Sequence, residues 1–203
     1  MIRFEKLKFI IMKKILFSLF LFLSTQQLNA QAFEQENNFI QAGYGLGLGY
    51  ARILSLYEGN PGYKFSGFGP VFASYERAIT DQFGVGVALS YSSYGAKWVA
   101  STYDYSYRWT SLSVMLRGAY HFSVRNDKFD PYAGIGLGYL NNNGSWTSSL
   151  PGFNEALYKI SLASPFAFQI FGGARYMFTE KFGGYAEVGY GISVANFGLT
   201  FKL

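Results

Sequence analysis

The stretch FGVGVALSY, residues 83–91, alternates between bulky and tiny side chains at every position. Phe83, Val85, Val87, Leu89 and Tyr91 form the bulky row, and the residues between them are glycine, alanine or serine. Successive side chains of a β-strand point to opposite faces of the sheet, so a period of two predicts a strand with one bulky apolar face and one small face.

The same alternation recurs along the chain and sets the fold class. It is clearest where tyrosine closes a row, as in AGIGLGY, residues 133–139. We count eight strands and find no convincing helix, which predicts an all-β protein. The predicted strands are residues 39–52, 67–78, 84–92, 105–122, 133–139, 165–178, 186–192 and 195–203.

The connections between these strands alternate in length. Residues 79–82, 123–130 and 179–181 form compact polar turns, whereas residues 53–66, 93–104 and 141–164 form long connections. One connection departs from this rule, because residues 193–194 are short on the side of the long loops. Short turns at one end and long loops at the other predict an eight-stranded antiparallel up-and-down transmembrane β-barrel.

Composition excludes several other classes. The chain has 203 residues, no cysteine, 14% charged residues and 20% aromatic residues. Its net charge of +5 arises mainly before residue 31, where Arg3, Lys6, Lys8, Lys13 and Lys14 face a single acidic residue. The rest of the chain is nearly neutral, so no nucleic-acid partner is expected. The residues also indicate no cofactor and no metal.

The first 30 residues have the order of a secretory signal peptide. Lys13 and Lys14 precede an apolar run at 15–23, which is followed by polar residues and the small residues Ala30 and Ala32. The run is much shorter than the roughly 20 residues of a transmembrane helix. We predict cleavage after Ala30 or Ala32, a barrel domain over residues 31–203, and a start at Met1 or Met12.

The small faces carry the few long polar side chains. If the bulky rows faced inward, glycine, alanine and serine would form the outer surface, which suits a soluble protein poorly. We therefore expect the bulky rows to face lipid and the polar side chains to fill a narrow lumen. A soluble ligand-binding barrel is the alternative. The predicted lumen network comprises Gln41, Glu76, Arg117, Arg175, Glu187 and Lys202, with His121 and Gln169 on the same face.

Aromatic residues cluster at both ends of the outward rows, as expected for rings at the two membrane interfaces. The predicted girdle on the long-loop side is Tyr50, Tyr91, Tyr139 and Tyr190. The predicted girdle on the short-turn side is Phe83, Tyr120, Phe122, Phe178, Phe182 and Phe201.

The chain also contains an internal repeat. A shift of 99 residues places residues 76–84 on residues 175–183, so that Glu76 corresponds to Arg175 and Tyr91 to Tyr190. The shift is odd, and the face assignments follow it without conflict. Four strands therefore occur twice.

Three stretches, residues 75–83, 130–139 and 185–191, resemble the small outer-membrane β-barrel family, with its OmpA-type and OmpX-type members. The resemblance implies location in the outer membrane of a Gram-negative bacterium, with contacts to outer-membrane lipid and lipopolysaccharide. Residues 196–203 resemble the C-terminal signal read by the barrel-assembly machinery, although Leu203 stands where an aromatic residue is usual.

The long-loop side offers the strongest functional hint. Tyr103, Tyr105, Tyr107 and Trp109 precede the lipid-crossing part of the fourth strand, and the parity of bulky residues changes before Leu112. We predict a bulge there and a protruding β-ribbon, with Trp98 and Trp146 on neighbouring loops. Such a ribbon could bind an extracellular protein partner.

Three classes of function remain open. A structural or surface-interaction barrel is favoured, a narrow channel is the first alternative, and a lipid A-modifying enzyme is the second. Enzymatic activity is not expected, because His121 is the only histidine and the glycine runs at 43–49 and 134–138 lack the spacing of a phosphate-binding loop.

Overall fold

The computed structural model describes residues 32–46, 57 and 59–203. The predicted signal peptide, Tyr50 and residues 51–56 lie outside this part of the chain. Eight strands alternate with turns, and a single-turn 3-10 helix follows the fifth strand at Glu155–Tyr158. The strands are β1 (Asn38–Leu46), β2 (Lys64–Ala78), β3 (Phe83–Ala100), β4 (Tyr103–His121), β5 (Phe129–Ser148), β6 (Ile160–Met177), β7 (Phe182–Tyr190) and β8 (Ala195–Lys202).

These strands close into one antiparallel barrel. Each pairs with its neighbours in chain order, and β1 pairs with β8 to complete the ring. The predicted fold class is therefore confirmed, including the short connection between β7 and β8. Within the described ranges, no helix is both long and apolar enough to span a membrane.

The polarity of the barrel is inverted relative to a soluble protein. The outward rows expose large apolar side chains, with Leu116 at 69% and Val188 at 65% exposure. The inward rows bury small or charged ones, and Arg175 is 0% exposed. All nine described girdle residues lie on the outward face: Tyr91, Tyr139, Tyr190, Phe83, Tyr120, Phe122, Phe178, Phe182 and Phe201.

Two of the predicted long loops are wrong. Residues 93–104 form a hairpin in which β3 runs to Ala100 and β4 starts at Tyr103. Residues 141–164 contain the end of β5 and the start of β6. Side chains alternate with a period of two through both segments. One face of these strands is aromatic and the other is polar, so the pattern of small and apolar faces that predicts the other strands is absent here.

Five strands therefore continue beyond the girdle on the long-loop side, which we call the outer girdle, on one side of the barrel. We call this part the extension; it comprises residues 64–68 of β2, 93–100 of β3, 103–110 of β4, 141–148 of β5 and 160–164 of β6.

The predicted bulge between Trp109 and Leu112 is also wrong. The register of β4 is continuous against both β3 and β5 through this region. The irregularities lie instead between Phe68 and Val71 in β2 and between Gly138 and Leu140 at the β5–β6 boundary. Because β4 keeps its parity, its aromatic row stays on the same face as the lumen residues.

Glycine is required at some inward positions, whereas outward Gly118 and Gly172 have room for a side chain. A Cβ on Gly138 would collide with the carbonyl oxygen of Val114 on the adjacent strand, whereas a Cβ on Gly172 would lie 3.8 Å from its nearest neighbour. We expect Gly138→Ala to lower the free energy of unfolding by about 1–3 kcal/mol, as overpacking does. Urea unfolding in detergent micelles measures this, and equal stability of Gly138→Ala and Gly172→Ala would contradict it.

Candidate functional site

The predicted lumen residues come from opposite walls of the barrel. Glu76 lies on β2 and Arg175 on β6, which are four strands apart in the ring, and Arg117 lies on β4 opposite the β7–β8 wall that carries Glu187. Each stands on the inward parity of its strand. Opposed charges therefore meet across the narrow interior.

A first cluster, the lower cluster, lies near the short turns. Arg175 Nη2 donates to Glu76 Oε2 at 2.5 Å, and its Nε lies 3.6 Å from Asp130 Oδ2. His121 bridges the same two carboxylates, with Nδ1 2.7 Å from Asp130 Oδ1 and Nε2 3.1 Å from Glu76 Oε1. The Arg175 guanidinium also lies 3.8 Å from the centre of the Phe39 ring. The cluster thus links β2, β4, β5 and β6.

A second cluster, the middle cluster, is centred on Glu187. Arg117 Nη2 donates to Glu187 Oε1 at 2.7 Å, and the Tyr132 hydroxyl donates to the same oxygen at 2.9 Å. Asn196 Nδ2 donates to Glu187 Oε2 at 2.9 Å. The Arg117 guanidinium stacks 3.7 Å above the Phe171 ring. Glu187 is therefore paired on both oxygens although its side chain is almost fully buried.

The remaining predicted lumen residues lie at the margin of these clusters. Gln41 is buried and accepts a hydrogen bond from the Ser74 hydroxyl at 3.1 Å. Lys202 also points inward, but it sits at the rim, where its Nζ donates to the Asn37 side chain at 2.9 Å. Gln169 is 4% exposed on the inward face of β6.

The N-terminal residues cover the short-turn end of the lumen. The Phe33 ring stacks on His121 with centroids 3.5 Å apart and planes inclined by 4°. It also stacks on Phe39 at 5.8 Å and is 1% exposed. The backbone amide of Gln35 donates to Asp81 Oδ1, which ties this segment to the β2–β3 turn.

The outer end of the lumen is closed by two aromatic residues. Tyr94 and Trp109 are neighbours across β3 and β4, and each is 9% exposed. The Tyr94 hydroxyl donates to the Gly69 carbonyl at 2.6 Å. Beneath them lies a cavity of about 200 Å³ lined mainly by serine, asparagine and aliphatic side chains. Trp109, predicted as a loop interaction residue, is instead a lid over this cavity.

Above the lid, the inward face of the extension carries an aromatic cluster. The Trp98 ring stacks on Tyr105 at 5.8 Å and meets the edge of Trp146 at 5.7 Å. The ring centres of Tyr107 and Trp146 are 4.7 Å apart, and those of Tyr63 and Trp98 are 6.4 Å apart. Trp98 and Trp146 belong to β3 and β5, so their predicted placement on loops is wrong. Tyr103 shares the inward face of β4 near the tip.

Sequence reasoning missed four members of the lumen site. Asp130 was assigned to a turn, and Tyr132, Asn196 and Phe33 were given no role. Parity could have found three of them, because Asp130 and Tyr132 alternate with the outward row 133–139, and Asn196 shares parity with Lys202. No sequence signal marks Phe33 as a cap.

The charged side chains of the lumen are paired with one another. Both nitrogens of His121 contact carboxylates, and its ring is covered by Phe33. Among the described residues, no group of three or more metal-ligating side chains is arranged to hold a metal ion. The clusters cross-link the barrel walls.

A closed eight-stranded barrel with an apolar exterior and a charged interior defines a transmembrane β-barrel. Residues 15–200 match the family described as "Outer membrane protein beta-barrel domain". The chain belongs to this family, and its location is the outer membrane.

No curated protein sequence matches the chain significantly. Among solved structures it is similar to the N-terminal β-barrel domain of Pseudomonas aeruginosa OprF, with 19% identity over 83% of this chain and 98% of that chain and a TM-score of 0.43. It is also similar to Yersinia pestis Ail in complex with the heparin analogue sucrose octasulfate, with 15% identity over 83% of this chain and 96% of that chain and a TM-score of 0.47. A third similar structure is Pseudomonas aeruginosa OprG, with 13% identity over 86% of this chain and 99% of that chain and a TM-score of 0.48.

The effects of substituting Arg117 and Glu187 on the free energy of unfolding should be strongly coupled. We expect Glu187→Gln to lower the free energy of unfolding by about 3–5 kcal/mol, because Arg117 then stays buried without its counter-charge. The double variant Arg117→Met/Glu187→Gln should lose less than the sum of the single losses, with a coupling of about 1–3 kcal/mol.

Urea unfolding of Glu187→Gln, Arg117→Met and the double variant in detergent micelles measures this coupling. The control is Glu180→Gln in the exposed β6–β7 turn, which should change stability by less than about 0.5 kcal/mol. Additive losses in the double variant would show that the two side chains do not act as a pair.

Proposed function

We propose that the protein is a non-conducting outer-membrane barrel of a Gram-negative bacterium whose extension binds an extracellular protein. One observation carries this proposal: five adjacent strands continue beyond the outer girdle, whereas β7 ends at Tyr190 and β8 starts at Ala195. Extra strand length on one wall is not needed to cross the membrane. It therefore serves the space outside the cell.

The filled lumen argues against a channel. Phe33, the lower cluster, the middle cluster and the Tyr94–Trp109 lid occupy successive levels from the periplasmic end to the outer end. A permeant ion would have to displace paired charges, which costs several kcal/mol each. The interior is built for rigidity, and rigidity supports an extension held in one orientation.

The surroundings of His121 argue against a lipid-modifying enzyme. Its two ring nitrogens contact Asp130 and Glu76, and its side chain is 2% exposed at the periplasmic end of the lumen. A nucleophile in the outer leaflet would need a base near the opposite end of the barrel. We infer that the histidine is structural.

The extension supports protein binding through a strand edge. Residues 160–164 of β6 pair with β5 on one side, whereas the pairing of β6 with β7 begins only at Ile170. In the described residues no strand covers the other side. Unpaired backbone N–H and C=O groups on such an edge can add a strand from another protein. Ile160 and Leu162 are exposed beside it and offer apolar contacts.

A paired deletion tests this proposal without breaking the register of the hairpin. Ala96 pairs with Tyr107 and Ala100 with Tyr103, so removing residues 96–100 together with 103–107 shortens both strands equally. Peptides selected from a display library on the wild-type protein in nanodiscs should bind the deletion variant at least tenfold more weakly.

Two point variants sharpen the result. Leu162→Lys places a charge at the free edge and should also weaken binding, since charged residues protect edge strands from pairing. Glu180→Gln, in the exposed β6–β7 turn at the opposite end of the barrel, is the control and should leave binding unchanged. Equal peptide affinity for the wild type, the paired deletion and Leu162→Lys would place the binding site outside the extension and overturn the proposal.

Export by a signal peptide is part of the same proposal. Cleavage after Ala30 or Ala32 leaves Phe33 in the mature protein, where its ring caps the lumen. Sequencing the N-terminus of protein from isolated outer membranes should give Gln31 or Phe33 as the first residue. A mature protein that starts beyond Phe33 would contradict both the cleavage site and the cap.

A further inference from the structure

The lipid-facing wall has a groove in the half nearer the short turns. Its volume is about 730 Å³, and its lining is apolar except at one end. Phe83, Val85, Leu116 and Ile135 form its sides, and Gly118 lies at its floor. The neighbouring outward positions on β4 are Leu116 and Tyr120, so the missing side chain of Gly118 leaves a notch in an otherwise bulky row.

The strand register places the groove beside a cation. Arg77 pairs with Val85, Val85 with Gly118, and Gly118 with Ile135, so these four outward positions lie in one row across β2, β3, β4 and β5. Neighbouring strands are about 4.8 Å apart, which makes the row roughly 14 Å long. Arg77 is at the β2 end, and the notch of Gly118 is two strands away.

Arg77 is an unusual residue for this surface. Among the described outward strand positions between the two girdles, it is the one charged side chain. It forms no salt bridge with any other residue that the structure describes. Arg77 pairs with Val85, which is the next outward residue of β3 after Phe83. Arg77 therefore lies one outward position further into the membrane than Phe83, which belongs to the girdle on the short-turn side. A long cationic side chain there can reach the headgroup region while its methylenes remain in lipid.

We propose that this groove is a specific binding site for one phospholipid of the periplasmic leaflet. The phosphate binds the Arg77 guanidinium, and an acyl chain lies across the notch at Gly118 between Val85 and Ile135. Guanidinium pairs well with phosphate because its planar fork can donate two parallel hydrogen bonds. A lipid in this leaflet has the required combination of an anionic headgroup and an apolar chain. The site depends on the membrane location and is independent of the extracellular partner.

Photo-crosslinking tests the site directly. The folded protein is reconstituted in nanodiscs with a phosphatidylglycerol that carries a diazirine on one acyl chain, and the crosslinked peptides are mapped by mass spectrometry. Crosslinks should concentrate on residues 83–87, 116–118 and 135–137. The β7–β8 wall, which exposes Val188, Phe197 and Leu199, provides an internal reference.

Two variants remove the two halves of the site. Gly118→Leu fills the notch, and its Cβ would lie 3.5 Å from Phe83 Cζ, an ordinary contact that the fold accommodates. Arg77→Gln removes the charge. Each should reduce crosslinking in the groove at least fivefold, while Arg77→Lys should keep part of it.

Gly172→Leu is the matched control, because Gly172 is an outward glycine on β6 away from the groove. It should leave groove crosslinking unchanged, and the shift in gel mobility on boiling should show that every variant is folded. Equal crosslinking of both walls in the wild type, or groove crosslinking that survives both Gly118→Leu and Arg77→Gln, would overturn the proposal.

Discussion

Arg175 is completely enclosed by the barrel, and the rest of the interior depends on how its charge is matched. An unpaired guanidinium at this depth would cost several kcal/mol. Glu76 accepts a hydrogen bond from it, and Asp130 places a second negative charge 3.6 Å from its Nε. Because those carboxylates stand on β2 and β5, pairing them with β6 fixes which walls face each other. The lower cluster therefore connects opposite walls of the barrel and also fills the lumen at this level.

The internal repeat gives this connection a simple origin. Glu76 and Arg175 are equivalent positions of the two halves, 99 residues apart, and Arg175 donates a hydrogen bond to Glu76. Two copies of a four-stranded unit that close into a ring place equivalent residues diametrically opposite at one level. A duplicated inward position that differs in sign of charge between the copies then forms an ion pair across the lumen. The Arg117–Glu187 pair of the middle cluster joins residues 70 positions apart, so it crosses the lumen without following the repeat.

The period of two predicted the strand count, the orientation of both faces and the inward position of the main lumen residues. It did so because lipid outside and a narrow lumen inside impose opposite demands on alternate side chains. In the extension, water replaces lipid outside, so exposed charged residues such as Lys97 and Asp104 alternate with aromatic ones. The apolar outward row that marks the other strands is therefore missing, and the sequence predicts loops there. The Phe33 cap could not be predicted, because a single aromatic residue in a polar segment carries no period.

Closure of the lumen separates a rigid display scaffold from a channel. Single-channel recording in a planar bilayer tests it most directly, using protein whose folded state has been checked by its gel shift on boiling. Because paired charges and aromatic rings fill the lumen, we expect no stepwise current from the wild type over a wide voltage range. Discrete and reproducible conductance steps from the folded wild-type protein would contradict it and would favour the channel.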